Sequence, residues 1–376
     1  MKQTPRLFLA ASASIALALV GRSAAWGASH AAGWNGAAAA RYLDTRLDWW
    51  AKWPKAARDH GTNCVSCHTS LPAVIARPAL RTALGNAGPT ANEQAMYAGV
   101  VKRVRMWHEV EPYYPDQTIG IPKSSESRGV ESVLNALFLA TRDRDAGTGL
   151  SDDARLAFAN MWALQMKTGD LKGGFAWLTF KLEPWESESA SYWGAALAAE
   201  AITRAPGNYA ASPEIAANLT ALRAYLKTGL GGKSSLFTRM LVLWADTNLH
   251  DIVEPAQRQV LLYQLRAIQG ADGGWSLARL STWQRVDGTV IPDVSDGFAT
   301  AIVTVALQDA GVPATDPSIK AARAWLVAHQ DPATGRLPAS SINKLREPST
   351  DAYLFMSDAA TGFAMLALAD GSKQGK

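Results

Sequence analysis

Cysteine is almost absent from the sequence: among 376 residues only Cys64 and Cys67 carry a thiol. A framework of several disulfides and a zinc site built mainly from cysteines are therefore excluded.

The sequence also lacks a large excess of either charge. Residues 1–28 hold three of the 37 basic residues and none of the 33 acidic ones, so the rest of the chain is almost neutral. Nucleic-acid binding depends on a basic surface, and we expect no nucleic-acid partner.

Long apolar runs are confined to the N-terminus. Lys2 and Arg6 precede an apolar segment over residues 7–20, and small residues at 23–25 or at Ala28 offer a site for signal peptidase. The segment is short for a membrane span, although a retained membrane anchor is the alternative. We predict that residues 1–28 are a signal peptide that is removed, and that the protein is exported to the periplasm.

The two cysteines belong to one motif, Cys64-Val65-Ser66-Cys67-His68. Cys-x-x-Cys-His is the signature of c-type haem attachment, in which the thiols bind the haem vinyl groups and the histidine is the proximal iron ligand. The alternatives are a redox-active cysteine pair, half of a zinc site and a structural disulfide. Export favours haem, because c-type haem is attached outside the bacterial cytoplasm. We predict one covalent haem c, held by Cys64, Cys67 and His68, and a periplasmic redox partner.

The motif does not specify the sixth ligand of the iron. His60 is the first candidate, because it lies eight residues before His68 and the motif brings it close to the haem. Met96, Met106 and His108, on or next to a predicted helix over residues 91–107, are the other candidates. A His or Met ligand favours electron transfer, whereas an open position favours chemistry on O₂, peroxide or another small ligand.

From about residue 90 the sequence repeats one pattern five times. An amphipathic helix is followed by a Ser-rich, often acidic step and then by a helix that is apolar on almost every side. The steps are 125–127, 187–189, 234–235, 295–296 and 357–358; the apolar helices are 130–140, 190–201, 236–245, 298–307 and 359–368; the amphipathic helices are 91–107, 152–167, 213–227, 254–268 and 316–329. Apolar helices must be buried, and amphipathic ones face water on one side. The alternation predicts an all-α fold with an inner ring of helices surrounded by an outer one.

The segment Gln269-Gly270-Ala271-Asp272-Gly273-Gly274-Trp275 resembles the Gln-x-x-x-Gly-x-Trp repeat of squalene–hopene cyclases and related terpenoid cyclases. Weaker copies follow Gln165 and Gln330. The resemblance covers about residues 90–370 and implies an α/α toroid of about five to six helix pairs, in which the repeat ties the outer helices together. It does not extend to the chemistry, because the Asp-x-Asp-Asp acid of the cyclases that protonate squalene is absent.

These observations divide the chain into four parts: the signal peptide (1–28), a haem-c attachment segment built onto the toroid (29–89), the toroid (90–370) and a polar tail (371–376). Pro72 and Pro78 lie in the segment that follows the motif, and we expect the backbone of this segment to be irregular.

The acidic residues of the steps should surround one end of the ring. Burial raises the pKa of a carboxyl group, so these residues are candidate catalytic acids, although helix capping is the alternative role. The candidates are Glu126, Glu188, Asp296 and Asp358 of the steps, together with Glu183 and Glu186 of the loop over residues 175–186.

The sequence therefore predicts an exported monohaem redox protein, acting as a haem-dependent oxidoreductase or in electron transfer, with an apolar, isoprenoid-like ligand in the toroid cavity. A scaffold for electron transfer or binding without catalysis is the first alternative. An acid-catalysed cyclase, lyase or hydrolase with a structural haem is the second. Whether the protein is an enzyme stays open at this stage.

Overall fold

The structure, a computed structural model, describes residues 33–85 and 88–369. The predicted signal peptide and the predicted polar tail lie outside these residues. The helices are α1 (Gly36–Lys52), α2 (Ser70–Leu84), α3 (Ala91–Arg105), α4 (Asp116–Ile119), α5 (Lys123–Asp145), α6 (Asp152–Ala163), α7 (Ala190–Arg204), α8 (Ala216–Thr228), α9 (Leu236–Leu249), α10 (Pro255–Ala267), α11 (Leu277–Leu280), α12 (Gly297–Asp309), α13 (Pro317–Ala328) and α14 (Phe355–Leu368). Short 3₁₀ helices span Asp59–Gly61, Tyr209–Ala211, Pro213–Ile215 and Asp351–Leu354, and β1 (Ala57–Arg58) pairs antiparallel with β2 (Thr62–Asn63).

Six helices form a closed inner ring. In the order α2, α5, α7, α9, α12 and α14 each helix packs against the next, and α14 packs against α2. The buried residues of these helices are mostly apolar, although α2 also buries Arg77 and Arg81 and α5 buries Glu131. In α12 every residue from Gly297 to Leu307 is buried. Burial of apolar surface on this scale is the main force that holds the ring together.

Six further helices, α1, α3, α6, α8, α10 and α13, lie outside the ring. Helix α8 packs against α7 and α9, α13 against α12 and α14, and α1 against α2 and α14. Each has one apolar face, and most start at a cap, such as Thr90 of α3, whose hydroxyl accepts from the Glu93 amide while the Glu93 carboxylate accepts from the Thr90 amide. The predicted all-α toroid is confirmed, and the predicted helices after residue 90 match observed ones.

The expectation of an irregular segment after the motif was wrong. Residues 70–84 form the inner helix α2, whose packing against α5 and α14 buries its apolar face. Pro72 lies in the first turn, where a backbone N–H has no partner within the helix, and Pro78 is accommodated further along. The ring of six helix pairs therefore includes α1 and α2, which lie in the predicted attachment segment.

Glutamines at the ends of outer helices link each one to its successor. The side-chain nitrogen of Gln269, after α10, donates to the carbonyls of Gly273 (2.7 Å) and of Ser318 at the start of α13 (2.9 Å). Gln165, after α6, donates in the same way to the carbonyls of Gly173 in its own loop and Asn218 in α8. This is the role that the repeat predicts.

The third copy of the repeat closes the outer layer. Gln330, after α13, donates to the carbonyl of Asn35 (3.1 Å) and accepts from its amide (2.8 Å), and Asn35 is the N-cap of α1. Gly335 has φ +78° and lies against the backbone of α1, so no other residue fits there without a shift of the chain. In the copy that begins at Gln269, the Trp275 indole is fully buried and donates to the Leu265 carbonyl at 2.7 Å.

All inner helices begin at one end of the ring. We call this end the mouth and define it as residues 53–69, 106–122, 164–189, 229–235, 268–296 and 329–354. Hydrogen bonds that join different segments include those from the Glu111 amide to Asp59 (2.7 Å) and from the Ser340 amide to Asp296 (2.7 Å). Others join the mouth to the first turns of inner helices: Thr69 donates to Asp358 (2.6 Å) and Thr179 to Glu126 (2.7 Å).

Aromatic side chains fill the ring interior below the mouth. Trp193 of α7 and Phe363 of α14, which come from opposite sides of the ring, have centroids 6.1 Å apart. Trp244 and Phe298 also lie against Phe363, at 6.4 and 6.0 Å. These are contact distances for aromatic rings, so an apolar ligand would have to bind above this layer or displace it.

Candidate functional site

The Cys-x-x-Cys-His motif lies in the mouth, directly before α2. Both thiols are buried and neither forms a disulfide. Burial raises the pKa of Cys64 to about 11 and raises that of Cys67 as well. A redox-active cysteine pair needs a lowered pKa so that one sulfur is a thiolate at neutral pH. Two protonated thiols fit that alternative poorly.

The backbone of the motif is held by side chains around it. The Trp50 indole donates to the Cys64 carbonyl at 2.7 Å. The Ser66 hydroxyl accepts from the amides of Thr69 (3.1 Å) and Ser70 (3.0 Å), which start the turn into α2. Ser66 thus satisfies two backbone N–H groups at the start of the helix that follows the motif, whose N-cap is Thr69.

The His68 imidazole is neutral and fixed in place. Burial lowers its pKa to about 3. Phe355 stacks on its face with centroids 3.8 Å apart, and Trp50 meets it edge-on at 5.0 Å. Its Nδ1 lies 2.9 Å from the Thr69 hydroxyl oxygen, so Nε2 is the nitrogen left for a metal. This is the usual arrangement of a histidine ligand, in which the second ring nitrogen is hydrogen-bonded to the protein.

Behind His68 lies the fully buried carboxylate of Asp358. It accepts hydrogen bonds from the Thr69 hydroxyl (2.6 Å), the Tyr42 hydroxyl (2.6 Å) and Nε of Arg46 (2.9 Å). Burial raises the pKa of Asp358 to about 6, and the Arg46 guanidinium and the two hydroxyls oppose that rise. The buried ion pair with Arg46 and the donors Tyr42 and Thr69 suit an ionised carboxylate.

Glu186 is the predicted acid that comes closest to the cysteines. It lies in the loop before α7, within electrostatic reach of both thiols. Burial raises its pKa to about 7, against the attraction of Arg58 and Lys123. A carboxyl group with such a pKa can exchange a proton near neutral pH.

Glu126 and Asp296 are engaged in structural contacts. Glu126 accepts from Nζ of Lys123 at 2.5 Å and from the Thr179 hydroxyl at 2.7 Å. Asp296 caps α12 by accepting from the Phe298 amide at 2.8 Å. Burial raises the pKa of Asp296 to about 6.

The other two predicted acids lie further along the loop before α7. Glu183 accepts from the Ser187 hydroxyl at 2.6 Å, and burial raises its pKa. Glu188 is exposed. Of the six predicted acids, the structure brings Asp358 and Glu186 to the motif, Asp358 through Thr69.

The candidate sixth ligands lie in different environments. His60 is exposed in the turn between β1 and β2, and its Nδ1 is 2.9 Å from the Asp59 carboxylate. Met106 is the C-cap of α3, and His108 is exposed beyond it. Met96 lines a cavity of about 490 Å³ between α1, α3 and β2, whose wall also includes Cys64. The sixth ligand stays a prediction, with His60 as its first candidate.

Three residues around His68 were not predicted from the sequence. Thr69 directly follows the motif, and this position is the only feature of the sequence that could have indicated a role for it. Tyr42 and Arg46 lie one helical turn apart on α1, and no pattern in the sequence relates them to Asp358.

Within residues 33–85 and 88–369, no helix is both long and apolar enough to cross a membrane. In the same ranges, no three His, Cys, Asp or Glu side chains cluster in a way that could hold a metal ion.

No protein-family model matches the chain. No curated protein matches its sequence. Among solved structures, the chain is similar to the type II terpene cyclase MstE from Scytonema. A variant of that enzyme, in complex with geranylgeranyl dihydroxybenzoate, gives a TM-score of 0.45 at 14% identity over 89% of this chain and 97% of the other. The apo form gives 0.43 at 13% identity, over 89% and 98%. The ent-copalyl diphosphate synthase from Streptomyces platensis gives 0.35 at 16% identity, over 91% and 89%.

Proposed function

We propose that the protein is an exported redox protein that carries one c-type haem, bound through Cys64 and Cys67 with His68 as the proximal ligand. The observation that carries the proposal is the combination of two free thiols and one neutral, oriented imidazole at the motif spacing. Each thiol would add across one vinyl group of the haem. The S–H and C=C bonds become C–S and C–H bonds, and nothing leaves.

The residues around the motif suit a haem. Nε2 of His68 is the nitrogen available to the iron, since Nδ1 is hydrogen-bonded to Thr69. Phe355 and Trp50 place apolar surface against the imidazole. When bound, the haem would supply one-electron redox chemistry. Glu186, with its pKa of about 7, would hold or release a proton close to the attachment site.

The position of the motif in the mouth supports exchange with a partner. The mouth is formed by loops. Beside it, the partly exposed Trp49 and Trp53 stack on each other with centroids 5.1 Å apart, next to Trp50 and Phe355. We propose that a periplasmic redox partner docks at the mouth, and that an apolar ligand, where one binds, lies there above the aromatic layer.

Haem content tests the proposal directly. The protein, expressed with its own N-terminus in a host that matures c-type cytochromes, should appear in the periplasmic fraction. It should keep haem through denaturing electrophoresis and give a c-type pyridine haemochrome spectrum. Cys64→Ala/Cys67→Ala should lose the covalent haem. Extraction of all haem from the unmutated protein by acid–acetone would refute the proposal.

Glu186 supports a second candidate function, acid catalysis on an isoprenoid substrate. The half-buried Glu186 carboxyl, with a pKa near 7, is protonated below neutral pH, as a general acid must be, whereas Asp296 is occupied as a helix cap. Incubation with squalene and geranylgeranyl substrates at pH 5–8 tests it. Acid catalysis predicts products that persist in Cys64→Ala/Cys67→Ala and disappear in Glu186→Gln; an absence of products from the unmutated protein would exclude these substrates for it.

A further inference from the structure

We infer that Asp358 is a positioning residue that acts through Thr69 to fix the tautomer of His68 and to increase electron donation by its imidazole. The inference rests on the proposed function, since it concerns the potential of a haem held by His68. It is carried by an uninterrupted chain of hydrogen bonds. Nδ1 of His68 lies 2.9 Å from the Thr69 hydroxyl oxygen, which lies 2.6 Å from Oδ2 of Asp358.

The direction of each bond follows from the donors available. An ionised carboxylate only accepts, so the single hydroxyl proton of Thr69 points to Asp358. The Thr69 oxygen is then an acceptor towards His68, so Nδ1 of the imidazole carries a proton. An imidazole that binds a metal through Nε2 has this as its only ring proton, and the tautomer that the chain of hydrogen bonds selects is the one that a metal requires.

The carboxylate itself is held at two further points. Tyr42 donates to Oδ1 at 2.6 Å, and Nε of Arg46 lies 2.9 Å from Oδ1 and 3.0 Å from Oδ2. Asp358 and Thr69 are both fully buried, so water does not compete for these bonds. Hydrogen bonds in a low-dielectric interior polarise one another, and the charge of Asp358 is transmitted to the imidazole through the hydroxyl.

The expected consequence concerns the reduction potential. A more electron-rich imidazole stabilises the ferric form, so the chain of hydrogen bonds should lower the potential. Thr69→Val has the same shape but lacks the hydroxyl, and it leaves the Thr69 amide bond to Ser66 in place. It should shift the potential to a more positive value. Thr69→Ser retains the hydroxyl and should restore the potential.

Tyr42→Phe is the matched control. It also removes one hydroxyl from the Asp358 carboxylate, but on the side away from His68. The carboxylate then interacts more strongly with Thr69, so the potential should stay the same or become more negative. A general loosening of the site would shift Thr69→Val and Tyr42→Phe in the same direction.

The experiment is a spectroelectrochemical titration of the four purified holoproteins, after their haem content has been measured. A positive shift in Thr69→Val alone, reversed in Thr69→Ser, supports the inference. An unchanged potential in Thr69→Val, or equal positive shifts in Thr69→Val and Tyr42→Phe, would overturn it while the proposed function stands. Absence of covalent haem from the unmutated protein would overturn both.

Discussion

Gln330 and Asn35 are 295 residues apart and hydrogen-bond to each other twice, once through the Asn35 amide and once through its carbonyl. The last outer helix is thereby joined to the first. The same glutamine also donates to the Gly335 carbonyl at 2.9 Å, so one side chain holds its own loop and closes the outer layer.

Removal of this link should lower the stability of the whole ring. Gln330→Ala leaves backbone groups of Asn35 and Gly335 without their partner, and we expect a loss of about 1–3 kcal/mol in the free energy of unfolding. Gln257→Ala, which changes an exposed glutamine of α10, should stay within about 0.5 kcal/mol. Urea unfolding monitored by tryptophan fluorescence measures both. Equal midpoints for the two variants would mean that closure adds no stability.

Trp275 should contribute more to the stability of the fold than an exposed aromatic residue nearby does. Its indole is fully buried and donates to the Leu265 carbonyl, so Trp275→Ala should cost about 3–5 kcal/mol. Tyr263→Ala is the control, because that residue is 72% exposed, and it should change the free energy of unfolding by no more than about 0.5 kcal/mol. Thermal melts of both variants test this. A small shift for Trp275→Ala would show that the repeat does not hold the turn.

The pKa of Glu186 predicts how stability depends on pH. The pKa is about 7 in the folded protein, against 4.5 for a glutamate in water, so the folded state binds the proton more tightly than the unfolded state does. The contribution of Glu186 to stability is then greatest below pH 4.5 and is lost as the pH rises to 7, by up to about 3 kcal/mol.

Glu186→Gln should remove that pH dependence. The free energy of unfolding of the variant, relative to that of the unmutated protein, should be higher at pH 8 than at pH 5. Glu188→Gln, at an exposed neighbouring position, should not change with pH in this way. Denaturant unfolding at both pH values measures the difference. The same pH profile in all three proteins would contradict the assigned pKa.

Phe363 should be the residue that keeps the ring interior filled. It contacts Trp193, Trp244 and Phe298, so Phe363→Ala should cost about 3–5 kcal/mol and leave an apolar cavity. Such cavities bind benzene or xenon, and benzene should raise the melting temperature of the variant but not that of the unmutated protein. Val260→Ala, at a residue 54% exposed on α10, is the control for stability. A failure of benzene to stabilise the variant would show that the interior collapses.

The sequence predicted the toroid well because its signals are local and repeated. The five inner helices after residue 90 contain stretches that are apolar on nearly every side, and three glutamines mark the ends of outer helices, so the pattern could be found without long-range information. Helix α2 was missed because Pro72 and Pro78 suggest interruption, whereas its packing against α5 and α14 decides its structure.

The site was predictable only where it is contiguous. Cys64, Cys67 and His68 form one motif and could be identified together. The bond from Thr69 to Asp358 joins residues 289 positions apart, and it depends on the closure of the ring, which no local pattern encodes. For the same reason the acids of the repeated steps could be placed at the mouth, but Glu186 could not be distinguished from Glu126 before their contacts were known.

The burial of the two cysteines constrains the order of events during biogenesis. Only 7% of Cys64 and 8% of Cys67 is exposed, and α14, the last helix within the described residues, packs against the helix that follows them. Phe355 at the start of α14 also covers His68, so we expect a cofactor to be joined to the motif before α14 docks. The C-terminal helix pair would then be the final part to fold. In protein made without haem, a truncation before residue 317 should leave the thiols open to alkylating reagents that the full chain resists.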